Sequence, residues 1–111
     1  MHDEIKKSDW KRFKKVQQDA LQRICKRILD EARGLADDQS KTYHERYLAV
    51  FQLIREGDKD IATGFDDLSR SRMLNQLAFM VSQDLVDSET IEQFSDDVQQ
   101  KLKRYEDIYG S

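Results

Sequence analysis

No proline interrupts this chain, and only Gly34, Gly57, Gly64 and Gly110 offer other breaks to a helix. The turn residues that close β-hairpins are therefore missing. β-Branched residues are sparse and never alternate over a strand-length run, which leaves no strand pattern. The lone Cys25 rules out an intramolecular disulfide and suits a reducing, cytoplasmic setting. No stretch approaches the roughly 20 apolar residues of a membrane span, and Met1 to Phe13 lacks the apolar segment of a secretory signal. With two histidines and one cysteine, a zinc ligand set cannot be assembled from Cys and His at the usual spacings.

Charge is abundant and unevenly placed. Charged residues make up 37% of the 111 residues and hydrophobic residues 38%, with a net charge of −3. That balance fits a small bundle whose helices each show a charged face to water. From Ile5 to Arg27 nine Lys or Arg stand against Asp9 and Asp19 alone, whereas from Gln83 to Gln100 six acids stand with no base. Such polarity favours partners of defined charge, or lets the two regions meet within one molecule.

Apolar periodicity divides the chain into helices. Trp10, Phe13, Ala20, Leu21, Ile24, Cys25, Ile28 and Ala32 share one arc at about 100° per residue, and Lys11, Lys15, Lys26 and Arg33 oppose it. Ser8 or Asp9 is the expected cap, residues 1–7 the expected frayed lead and Gly34 the expected stop. Thr42-x-x-Glu45 reads as a capping box. Behind it Tyr43, Tyr47, Val50, Ile54 and Ile61 form an apolar face that Leu48, Phe51 and Leu53 widen. A face that wide predicts a helix near the middle of the bundle, with Gly57 as an interruption and Gly64 as a stop.

A third helix is expected from Asp66 or Asp67 to about Asp84, burying Met73, Leu74, Leu77, Ala78, Met80 and Val81. Phe79 falls off that side and needs a second packing neighbour or an external partner. A short turn from Asp87 or Ser88 and a last helix capped by Ser95, with Val98, Leu102, Tyr105 and Tyr109 as its stripe, complete the chain. The predicted fold is all-α: one domain over 1–111, a single compact bundle of four to five helices. Its first helix is long and amphipathic with a basic outer face.

No motif carries catalysis. Asp58-x-Asp60 begins like a calcium loop, but Thr63 stands at the sixth position and Ser69 at the twelfth. Cys25 lies on the apolar stripe, where a cysteine behaves as a small hydrophobe. No cofactor, metal or catalytic residue is assigned, and the chain reads as no enzyme. The leading reading is a non-enzymatic helical interaction or accessory module that binds another protein or itself as a homodimer, without a membrane. The alternative is a nucleic-acid-binding regulator that grips phosphates with the first helix. Candidate partner-binding residues are Lys11, Arg12, Lys15, Arg23, Lys26 and Arg27 on that helix, Arg70 and Arg72 near the third, and Phe79. The segment Phe65 to Arg72 reads as a helix cap with an Asp66–Arg70 ion pair, or as a small recognition patch.

Overall fold

Five helices build the chain in the computed structural model, which describes the backbone of residues 5–109 and the side chains of residues 5–105. They are α1 (Lys7–Ala36), α2 (Tyr43–Phe65), α3 (Met73–Ser82), α4 (Ser88–Ile91) and α5 (Asp96–Tyr109), with a 3-10 turn at Arg70–Arg72 before α3. No strand occurs among the described residues, so the fold is all-α with a long first helix. Residues 1–4 of the expected frayed lead and the Tyr109 side chain lie outside the described residues. Ile5, expected to be frayed, instead packs half-buried against the core.

The core gathers at one end. Phe13, Val16, Ala20 and Ile24 of α1 meet Met73, Leu77 and Met80 of α3, Leu85 and Val86 behind it, Phe94, and Val98 and Leu102 of α5. α3 is the central helix. Four of its ten residues are buried, Gln76 among them, whose Nε2 donates to the Asp66 carbonyl at 2.7 Å.

α2 is not central, contrary to expectation. Its only buried residues are Gly57 and Gly64. It runs antiparallel to α1 as one arm of a hairpin, and its end meets α3 where Gly64 lies against Phe79. The other arm outruns the core too, since no α1 residue beyond Ile24 is buried. The molecule consequently measures 57 × 27 × 24 Å, with a radius of gyration of 16.8 Å. A near-spherical chain of this length would have roughly 13 Å.

Gly57 and Gly64 act through close approach rather than through special backbone angles. Among the described residues no glycine has positive φ. α1 continues past Gly34 to Ala36, and α2 runs unbroken through Gly57 and Gly64. A Cβ on Gly57 would stand 2.6 Å from Ile28 Cδ1, and one on Gly64 would stand 2.8 Å from Phe79 Cδ2. These two positions let α1 and then α3 approach α2 closely. The left-handed positions fall to aspartates, Asp67 at φ 59° and Asp84 at φ 56°. Asp84 closes α3 with the Leu85 N–H donating to the Met80 carbonyl at 2.9 Å, a Schellman-type ending usually built on glycine.

Capping differs from expectation at two helices. α1 starts at Lys7 with Lys6 as an uncapped N-terminal flank, and Asp9 lies in its first turn. α3 starts at Met73, beyond an extended stretch and the 3-10 turn, rather than at Asp66 or Asp67. The capping box at Thr42 and Glu45 forms in full, with bonds of 2.9 and 3.1 Å. Asp87 caps α4 through the Thr90 N–H.

Candidate functional site

Two surfaces compete as the working face: the basic side of α1 and the outer flank of the α1–α2 hairpin. On the basic side, α1 presents Lys11, Arg12 and Lys15 beside a shallow groove of about 450 Å³, completed by Ser8, Val16, Asp19, Thr90 and Gln93. Lys11 and Lys15 make no hydrogen bond or ion pair among the described residues. Arg12 donates to Gln93 Oε1 at 3.3 Å.

The remaining basic candidates are engaged inside the molecule. Arg23 donates to the Leu85 carbonyl at 2.8 Å, and Arg27 to the Gln83 and Asp84 carbonyls at 2.8 and 3.5 Å. These are the acceptors just past the end of α3, where a cation is favoured by the helix dipole. Basic α1 thus meets the start of the acidic stretch, but through backbone carbonyls and Gln93. Lys26 pairs with Asp30 at 2.7 Å on the solvated side of its own helix. Lys11, Arg12 and Lys15 are therefore the part of the basic arc gathered at one groove.

The other candidates scatter. Arg72 pairs with Asp67 at 3.3 Å, and the expected Asp66–Arg70 pair does not form. Arg70 instead stands 5.8 Å from the Trp10 ring centroid, with Lys14 at the same distance. Trp10 in turn stacks on buried Phe13 at 5.9 Å between centroids. Phe79 has its packing neighbour within the chain, the bare backbone of Gly64.

The hairpin flank carries residues absent from the candidate set. Tyr43 is 84% exposed, Tyr47 65% and Phe51 53%, with Leu48 and Ile54 also open to solvent. At 100° per residue Tyr43, Ile54, Tyr47 and Phe51 lie within about 80° of arc. They flank the arc of Val50, Leu53 and Gly57, the last of which meets Ile28. Leu29, exposed as well, stands one residue on from that contact. The signal for this surface was the width of the apolar face. An arc wider than one seam requires implies either a central helix or an uncovered flank.

Four carboxylates sit below their ordinary pKa, each for a local reason. The Lys26 ammonium holds Asp30 down, the Ser40 hydroxyl Asp38, the Thr42 backbone N–H Glu45, and bonding from Thr90 Asp87. Asp30, Glu45 and Asp87 lie on the exposed surface and Asp38 is half-buried in the interhelical turn. Among the described residues no three His, Cys, Asp or Glu side chains are placed to hold a metal, and no helix is long and apolar enough to cross a membrane. Cys25 is a half-buried free thiol against the core. The chain matches no family model, and comparison with curated proteins and with solved structures finds no match.

Proposed function

We propose that this protein is a non-enzymatic helical interaction module that uses the flank of its α1–α2 hairpin as the docking face. One observation carries the reading: three aromatic and three aliphatic side chains stand exposed where the hairpin outruns its core. Large exposed apolar patches on soluble chains mark association sites, because the water they order is released on contact. Tyr and Phe are suited to the role, since they bring large area for few rotatable bonds.

Affinity capture with paired variants tests it. Tyr47→Glu with Phe51→Glu places two charges on the flank and should abolish retention of any binding chain, itself included. Lys11→Glu with Lys15→Glu should leave retention intact. Loss through the basic pair alone would overturn the reading.

A second reading rests on unpartnered Lys11 and Lys15 beside their groove, a place for nucleic-acid phosphates. Its reach is small. With Arg23 and Arg27 turned to carbonyls, binding to oligonucleotides would involve about three phosphates and a salt slope near −3. Fluorescence anisotropy between about 50 and 200 mM salt measures that slope directly.

A further inference from the structure

We infer that the occupant of the hairpin flank is a second copy of this chain, docked antiparallel with α2 against α2 about a two-fold axis at Phe51. The inference rests on the proposed docking role of the flank and names its partner.

The first ground is architectural. Helices bury an apolar stripe against neighbouring layers, and a pair of helices by itself covers little more than its own seam. From Tyr43 to Glu56, roughly 20 Å of helix at 1.5 Å per residue, α2 contributes no buried residue. A second hairpin laid against the first turns two helices into four, an arrangement in which each apolar stripe can be buried against its neighbours.

The second ground is area. With a large side chain offering about 150–250 Å² when fully open, the exposed fractions of Leu29, Tyr43, Tyr47, Leu48, Phe51 and Ile54 together present on the order of 700 Å² per copy. Two copies bring about 1,400 Å², inside the roughly 1,200–2,000 Å² buried by stable specific interfaces. The largest apolar patch on a typical monomer is only about 300–600 Å².

The third ground is self-complementarity. An isologous contact must match a surface with its own reverse. Antiparallel about Phe51, His44 falls opposite the second copy's Asp58, Tyr47 opposite its Arg55, and Leu48 opposite its Ile54. An imidazole meets a carboxylate, an aromatic ring a guanidinium, and an aliphatic an aliphatic. No like charges coincide along this register.

The test uses the full chain in sedimentation equilibrium up to about 200 µM, above the micromolar Kd of weak interfaces of this size. Twice the chain mass is expected, reverting to the single mass in Phe51→Glu. Register is read by oxidation in a Cys25→Ser background. There Leu48→Cys mixed with Ile54→Cys should form a heterodisulfide while Phe51 stays in place. A monomer at the highest concentration would overturn the second copy yet leave the flank open to another chain, which the capture comparison decides. A dimer indifferent to Phe51→Glu would place the self-contact on another surface and overturn this inference, while the docking role is decided by the capture comparison. A dimer lost in Phe51→Glu but giving no heterodisulfide between the two thiol variants would overturn the antiparallel register.

Discussion

Asp9 shows how a single side chain ties the ends of the fold together. It is 2% exposed, and its two oxygens accept from the Ser95 backbone N–H at 2.9 Å and the Ser95 hydroxyl at 2.7 Å. Ser95 in turn accepts from the Val98 N–H at 3.3 Å, in the first turn of α5. A carboxylate there satisfies a helix N-terminus and fixes α1 against α5 in one step. Asp9→Ala removes two charge-assisted bonds and strands the Ser95 donors. Urea unfolding should register a loss of about 2–4 kcal/mol, and a change under about 0.5 kcal/mol would show the contact to be incidental. The glycines give a contrasting pair. Gly64→Ala drives a methyl into the Phe79 ring and should cost about 1–3 kcal/mol, outweighing the helix propensity it gains. Gly57→Ala meets the mobile end of Ile28, so its cost should be visibly smaller. Equal or reversed effects would refute the close-approach role. None of these contacts shows in periodicity. In the sequence Asp9 reads as a candidate cap of α1, and its actual partner lies 86 residues away.

At the scale of elements, local signals proved the most legible. The Thr42–Glu45 box stands where the spacing puts it, because both partners lie within one turn. Its folded-state pKa at Glu45 is lowered from the ordinary 4.5, chiefly by the Thr42 backbone N–H. The box is therefore at full strength above the ordinary value and weakens as pH falls through the lower folded one. Protection of the amides in the first turn of α2, taken relative to their intrinsic exchange rates, should fall on acidification through that window, and Glu45→Gln, which removes the titrating group, should remove the pH dependence. A pH response unchanged by Glu45→Gln would contradict the assignment. What spacing could not reveal was the employment of Arg23 and Arg27, which look like members of a free basic arc. Arg23→Gln with Arg27→Gln should destabilise the chain by about 1–3 kcal/mol in denaturant, while Lys11→Gln with Lys15→Gln should stay within about 0.5 kcal/mol. If the two pairs behaved alike, the carbonyl contacts of Arg23 and Arg27 would carry no weight.

For the whole molecule, the all-α class and the long first helix follow from missing proline and sustained 3.6-residue periodicity. Placement of α2 does not follow. Tyr47, Phe51 and Ile54 announce an apolar face, but a sequence is silent on what covers it. A central position and an uncovered flank give the same pattern, and they are separated only by the reach of the hairpin past its core. The same extension moves attention from the basic arc, most of which is satisfied within the chain, to a surface that only another molecule can cover. Residue-resolved amide chemical shifts of the full chain across a dilution series test this most directly. Concentration-dependent shifts should concentrate between Tyr43 and Asp58 and around Leu29, with α3 and α5 unmoved. Shifts centred on Lys11 to Lys15 would contradict it, and an unchanged spectrum from dilute to concentrated solution would contradict a second copy as the molecule that covers the flank.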